Sequence, residues 1–313
     1  MLVYGNGISG LEIASDLAPA TDVLSACRKP RYVIRKNVGG VSSDWQWYTA
    51  FSALERTRLP RDVLGRTLKE RVLHSTGDPA AFGAPRPDPD LFVAGLSLCQ
   101  DYLDLVAAGR IACRPAICAV HGRTVSFTDG TSEDVDVILC ATGYTPHVPY
   151  LDDPGPLYRR TIHPDLAGFA AIGQYFAQGP YWPMLELQAR WVMHLWSGEI
   201  DPPSVRAMRL AIATLPPPVE FHDAFTAAIA REAGVAPDLL ARPELTEPLL
   251  FGPLLPPRYR LDGPHARPDA AAQFTRQLAG SPRPPSDPAA LPALRGFGLE
   301  AEADLLRARN AAA

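Results

Sequence analysis

Cysteine is scarce here and carries no pattern. The five residues, Cys27, Cys99, Cys113, Cys118 and Cys140, are odd in number and include no C-x-x-C pair. That argues against a disulfide framework, a zinc knuckle or a redox dithiol, and for buried thiols in a reducing cytoplasm. The histidines (His74, His121, His147, His163, His194, His222 and His265) form no H-x-x-x-H and no H-E-x-x-H, so their spacing predicts no metal site. No apolar run approaches the length of a membrane helix, about 20 residues. The first residues read as a fold element and not as a cleavable leader. Lysine is nearly absent beside arginine, and the net charge is −4, which excludes nucleic acid and an anionic membrane surface as the principal partner. What remains is a chain of 313 residues, 47% hydrophobic, long enough for a large core and two domains.

The most informative segment is Gly5-Asn6-Gly7-Ile8-Ser9-Gly10. It follows the apolar strand Met1-Leu2-Val3-Tyr4 and opens a helical stretch, LEIASDLA. A G-x-G-x-x-G turn between a strand and a helix is a dinucleotide phosphate site. Gly5 permits the tight turn, Gly7 lets the backbone approach a pyrophosphate, and Gly10 lets helix and strand pack closely. The free N–H groups at the helix start face the anion. The first strand of such a sheet is normally central.

The end of the next strand, Asp22–Cys27, indicates which dinucleotide. NAD readers usually place a carboxylate there for the ribose 2′-OH. This chain instead runs into Cys27-Arg28-Lys29-Pro30-Arg31, with Arg35 and Lys36 close behind. A guanidinium clasps a 2′-phosphate that a carboxylate would repel. NADP is therefore favoured, with Ser25 and Arg28 as its contacts; a solvated basic loop is the plain alternative.

Further along, Asp90 is placed to cap a helix running through Leu91, Leu96, Tyr102 and Leu105 to Gly109. Strands are expected at Arg123–Thr128 and Asp136–Cys140 around an Asp129-Gly130 turn, and again at Phe169–Gly173. A helix follows from Pro183, and helical patches lie near 218–233 and 265–279 in a Pro- and Ala-rich tail. Several constellations reduce to ordinary roles. Tyr32-x-x-x-Lys36 sits too near the glycine turn to be a dehydrogenase proton-transfer pair. Asp152-Asp153 and Asp88-x-Asp90 sit in turns and caps. Glu186 and Arg190 read as an i, i+4 helix-face pair, and Trp182, Trp191 and Trp196 as core.

Taken together, GNGISGLEIA, the basic segment after strand two, the V-x-F-x-D-G turn leading to D-V-I-L-C-A-T-G-Y, and GQYF…WPMLELQARW resemble the later part of the flavin-containing monooxygenases. The resemblance runs from Met1 to about Trp196 and more faintly through FGPLLPPRYRLDGP. It implies an NADP domain inserted into an FAD domain, with the chain returning to the latter after A-T-G-Y. Gly5, Asn6, Gly7, Ser9 and Gly10 would then line the NADP pyrophosphate. Ser25 and Arg28 would meet the 2′-phosphate, and Thr142 and Gly143 would sit at the domain crossover near the cofactors.

The fold expected is α/β: a Rossmann-like domain over 1–143, the returning part of an incomplete FAD-type α/β domain over 144–200, and a helical region over 201–313. The family's FAD glycine turn and its F-x-G-x-x-x-H-x-x-x-W signature are missing. The expectation is therefore an N-terminally truncated NADPH-dependent flavin monooxygenase acting on a soft nitrogen, sulfur or ketone centre of a small molecule, with FAD binding in doubt. A non-catalytic NADP module, or a subunit completed by another chain, is the alternative. A thioredoxin-reductase-like flavoprotein is disfavoured by the missing C-x-x-C. An apolar strand at Phe169–Ile172, left unpaired, would favour self-association or a partner chain.

Overall fold

Short apolar runs interrupted by glycine, proline and aspartate keep the strands brief. A computed structural model describes residues 1–144, 155–174, 179–214, 221–280, 282–284 and 289–312. Contacts divide the chain into two units, Met1–Ser43 with Pro60–His147, and Asp44–Leu59 with Val148–Ala313. Residues 44–59 thus group away from the 1–143 domain read in the sequence, and 148–200 group with 201–313.

The strands of the first unit are, in chain order, β1 (Leu2–Tyr4), β2 (Val23–Ala26), β3 (Tyr32–Ile34), β4 (Asn37–Val38), β5 (Val41–Ser42), β6 (Leu96–Leu98), β7 (Ile111–Arg114), β8 (Ile117–His121), β9 (Thr124–Phe127), β10 (Ser132–Asp134) and β11 (Ile138–Cys140). The main sheet has the order β11-β1-β2-β7 and is parallel throughout. Leu2 faces Leu24 on one side and Ile138 on the other, so β1 is central, as expected.

Being central and parallel, β1 is apolar on both faces. Val3 joins the cluster in which Leu11 and Ala14 of the helix α1 (Ile8–Leu17), and Ala18 that caps it, pack with Val33, Leu103 and Ile111. Leu2 points the other way, into Val125 and Phe127 of β9 in the antiparallel β8-β9-β10 sheet and Val135 just after β10. Each of these two side chains is fully buried, which contributes about 1.5–3 kcal/mol apiece.

Two local expectations change. Asp90 does cap, its Oδ1 accepting the Phe92 N–H at 2.8 Å, but the helix stops at Ala94. Gly95, at φ +76°, turns the chain into β6, which pairs with β3, and a separate helix follows at Tyr102–Ala107. Long-range pairing overrides the helical spacing there. The Asp129-Gly130 turn joins β9 to β10, and residues 138–140 continue as β11 into the parallel sheet.

In the second unit the described elements are mainly helices. The longest, Tyr181–Trp196, buries Met184, Leu187 and Trp191 against Phe225 and Ile229 of His222–Glu232, beside Tyr158 and Tyr259. The expected strand at Phe169–Gly173 forms no strand. Only an isolated bridge, Ile162 to Ala170, is present, Ile172 is 41% exposed, and Gly168 and Gly173 both take φ +79°. The unpaired apolar strand invoked for self-association is therefore not found among the described residues. Of the three tryptophans expected in the core, Trp191 is buried, while Trp182 (83%) and Trp196 (56%) are exposed.

An ion pair sits inside this helical core. Arg56 meets Asp223 with both side chains almost wholly buried, Ser52 donates to the same carboxylate oxygen, and the Arg56 guanidinium lies 4.5 Å from the Phe221 ring centroid. The capping pair Thr49 and Ser52 fixes the start of the helix Ala50–Arg58 that carries Arg56. Removing one partner leaves a bare buried charge, which costs about 3–5 kcal/mol. Asp223→Ala is expected to lose that much in urea unfolding; a loss near zero would show that the pair is dispensable.

Beside it, His222 packs edge-on against Tyr48 at 5.6 Å. Burial first, and Arg56 second, lower its pKa from the ordinary 6.5 to about 3. The unfolded chain takes the proton first as pH falls. The stability gained by keeping the ring neutral is therefore complete above 6.5 and is lost progressively down to about 3. From pH 7 to pH 5 this group should remove about 2 kcal/mol. A His222→Gln chain should show a loss smaller by that amount, and an equal loss in both chains contradicts the assignment.

Candidate functional site

The three glycines of the turn are required for different reasons. Gly5 takes φ +126°, and a Cβ there would lie 2.3 Å from the Ala141 carbonyl oxygen. A Cβ on Gly10 would lie 2.0 Å from the Gly5 carbonyl oxygen. These two positions close backbone on backbone. Around Gly7 the space is open, since a Cβ there would meet nothing within 4 Å. Gly7 is also the N-cap of α1, with no side chain capping it and no acidic residue in the first turn. The helix therefore presents uncompensated N–H groups and the positive end of its dipole to that opening. This geometry fits a pyrophosphate. Ser9 is exposed in the first turn beside it.

Neighbouring segments are fastened to the turn. The Gly5 N–H donates to Ala26 O at 2.8 Å, which brings in the end of β2. Asn6 Nδ2 donates to Lys29 O at 2.9 Å, and Ser97 Oγ donates to Asn6 O at 2.7 Å. Thr142 and Gly143 follow β11 directly and are exposed; the backbone of Ala141 and Thr142 is the surface that Gly5 lies against. The turn, the start of the basic loop and the A-T-G-Y segment are thus brought together.

The basic cluster is sorted by its partners. Arg35 is clasped by Asp104 through bonds of 2.6 and 2.8 Å, and that guanidinium holds the Asp104 carboxyl below its usual range. Lys36 pairs with Glu12 at 2.7 Å. Arg31 Nη1 donates to Leu96 O at 3.2 Å. Arg28 and Lys29 are exposed, and their side chains have no ion-pair or hydrogen-bond partner among the described residues. Ser25 departs from expectation: it is 4% exposed and accepts a hydrogen bond from Tyr102 Oη at 3.0 Å. Its position inside β2, paired with Val3 and Cys113, turns it toward the core. Arg28, not Ser25, is presented to solvent at this corner.

Ser25, Cys27, Arg31, Tyr102 and Cys113 line a small cavity of about 20 Å³, room for about one water. Burial pushes the Cys27 thiol up to about 11 and raises Cys113 as well. Neither is a thiolate nucleophile at neutral pH. Cys118 and Cys140 are exposed, contrary to the expectation of buried thiols; all five cysteines are free.

The remaining candidates separate. Glu186 pairs with Arg260, and Arg190 donates to Tyr259 O at 2.9 Å, so the two do not pair with each other. Tyr32 is buried in β3, and Lys36 is committed to Glu12. Asp88 and Asp90 serve in a turn and a cap. Asp152-Asp153 and His147 lie outside the described residues. No helix among the described residues is long and apolar enough to cross a membrane. The sequence reading missed His194, Glu199 and His265, which the second unit brings together although 66 residues separate Glu199 from His265; no spacing rule signals such a group.

Residues 1–215 match a family described as flavin-binding monooxygenase-like. The N-oxide-forming dimethylaniline monooxygenase 2 of Rattus norvegicus is 30% identical over 298 residues, covering 84% of this chain and 55% of the rat protein. Flavin-containing monooxygenase 2 of Homo sapiens is 29% identical with the same coverage. The solved structure of S-allyl-L-cysteine S-oxygenase from Allium sativum is similar at 19% identity and a TM-score of 0.44, covering 89% of this chain and 54% of that one. The chain thus spans about half the length of the curated relatives it matches.

The glycine geometry predicts opposite outcomes for two small changes. Gly10→Ala drives a methyl into the Gly5 carbonyl and should cost several kcal/mol, a large strain for one residue. Gly7→Ala should stay within about 1 kcal/mol of the parent, the usual range for this change at an N-cap. Thermal unfolding of both variants checks this, and equal losses would contradict the distinction.

Proposed function

The chain belongs to the flavin-binding monooxygenase-like family, and we propose that it holds NADPH for flavin-dependent oxygenation of a small molecule. In this reading the pyrophosphate lies over Gly7 and the start of α1, against Asn6, Ser9 and the flanking Gly5 and Gly10. The 2′-phosphate meets Arg28, with Lys29 adding charge. Thr142 and Gly143 line the approach from β11. The observation that carries the proposal is the open space over Gly7 at an uncapped helix start, beside an exposed guanidinium without a partner.

Bound NADPH supplies a hydride. The protein's own part is to bind and orient it, through backbone N–H groups for one phosphate group and a bidentate cation for the other. The substrate class proposed is a soft nitrogen or sulfur centre, or a ketone, and the compartment is a reducing cytoplasm, which suits five free thiols. For a flavin the second unit offers no such cradle: among its described residues no strand enters a helix through a glycine turn. No step is therefore assigned through a flavin held by this chain alone.

That same observation favours a second reading, an NADP-binding module or a subunit completed by another chain. Flavin absorbance separates the two. Protein purified with bound flavin supports the enzyme, and protein that binds NADPH but takes up no added FAD supports the module.

NADPH should bind more tightly than NADH by roughly tenfold or more, the scale of a charge-assisted Arg–phosphate contact. Arg28→Ala should remove most of that preference, and Gly7→Ala should abolish binding of both nucleotides while remaining folded. Calorimetric titration checks each. Equal affinities in the parent chain would remove the case for Arg28 as a phosphate reader, and normal binding by Gly7→Ala would remove the pyrophosphate site.

A further inference from the structure

The second unit gathers two imidazoles and one carboxylate with no part in the nucleotide reading. His194 lies in the last turn of the helix Tyr181–Trp196, Glu199 lies in the segment after it, and His265 lies in a distant loop. His265 Nε2 is 2.7 Å from Glu199 Oε1, and His194 Nε2 is 3.9 Å from Glu199 Oε2. The three ligand atoms all lie within 4.8 Å of one another. The two imidazole rings stack at 5.4 Å with an interplanar angle of 15°.

We propose that His194, Glu199 and His265 form a binding site for a zinc-type divalent cation. An ion held at about 2.0–2.2 Å by two imidazoles and a carboxylate in tetrahedral array needs ligand atoms about 3.4 Å apart. The observed 2.7 and 3.9 Å run to the two different oxygens of Glu199, and one ligand atom from each residue lies within 4.8 Å of the others, so closure on an ion takes side-chain adjustments of an ångström or so. The buried histidine points the same way. His194 is 2% exposed, and its Nδ1 lies 3.1 Å from the Ala233 carbonyl. A carbonyl only accepts, so Nδ1 donates to it and Nε2 is the ring nitrogen turned toward Glu199. At 3.9 Å from Glu199 Oε2 that nitrogen lies beyond hydrogen-bonding reach of the carboxylate, and a cation between them would bond to both. A histidine whose far nitrogen donates to a backbone carbonyl is the usual outer-shell arrangement of a metal ligand.

The supports of the site are fixed independently. Arg190 donates to Tyr259 O at 2.9 Å and to Pro264 O at 3.5 Å, tying the loop that carries His265 to the helix that carries His194. The Glu199 N–H donates to His194 O at 3.0 Å, and Gly198 at φ +75° makes the turn between them. At Gly263 a Cβ would lie 1.8 Å from Gly234 O, so this loop packs directly on the segment after His222–Glu232. Two imidazoles favour zinc and its neighbours over magnesium or calcium, which prefer all-oxygen ligands. Three protein ligands leave one position for water, and the bound ion would clamp the helix end to both loops.

The test is calorimetric titration of the full chain, treated with chelator and dialysed, with zinc chloride alone. The expected result is one equivalent bound, undisturbed by a large excess of magnesium. His265→Ala and Glu199→Gln should each weaken binding at least tenfold. His121→Ala, at an exposed histidine of β8 outside the cluster, should leave it unchanged. His265 and Glu199 are the more exposed members, so their variants stay interpretable if His194→Asn fails to fold. No zinc uptake by the parent, or uptake equal to the parent's in both His265→Ala and Glu199→Gln, overturns the proposal. Neither outcome depends on whether NADPH or flavin binds.

Discussion

The first unit depends on one close approach, where the backbone of Gly5 lies against Ala141 and the backbone of Gly10 lies against Gly5. With any larger residue at these points, β1, α1 and β11 could not meet at a single corner. Because they do, the apolar positions of β1 are sealed from both sides, with Val3 against α1 and Leu2 against the antiparallel sheet. The same closure leaves the start of α1 without a side-chain cap among the described residues and directs it into open space at Gly7. Core packing and the phosphate-sized opening are two consequences of one steric constraint. The constraint is local, which is why a hexapeptide can specify it.

The second unit holds together on different grounds. Its helices interlock through Trp191, Phe225 and Ile229, and a charge pair, Arg56 with Asp223, is sealed within them. Such a pair contributes more to register than to net stability, because desolvation offsets most of its attraction. It joins Ala50–Arg58 to His222–Glu232, while burial first, and Arg56 second, keep His222 neutral beside it.

Most of the first unit was legible in the sequence, and the reasons are specific. The glycine turn, the apolar β1 and β2, and the run into A-T-G-Y all encode local geometry, so pattern and structure agree. The stretch from Asp90 to Gly109 misled because Gly95 and the β3–β6 pairing replace a continuous helix, and pairing partners 64 residues apart leave no local trace. Phe169–Ile172 has a strand-like composition, yet glycines at φ +79° on both sides leave it a single bridge. In the basic loop the sequence showed the charges but not their partners. Arg35 and Lys36 are consumed by Asp104 and Glu12, and only the fold singles out Arg28. Ser25 was misplaced for a similar reason, since the outward or inward sense of a residue late in a strand depends on register. Trp182 and Trp196 show the limit of reading aromatics as core, since they share a helix with buried Trp191 and face away from the apolar cluster.

The most direct test of the nucleotide reading is a crystal structure of the chain grown with NADP. The account predicts pyrophosphate density over the N–H groups that follow Gly7, with the 2′-phosphate within about 3 Å of the Arg28 guanidinium. A nucleotide bound away from the glycine turn, or one whose 2′-phosphate leaves Arg28 untouched, would contradict it.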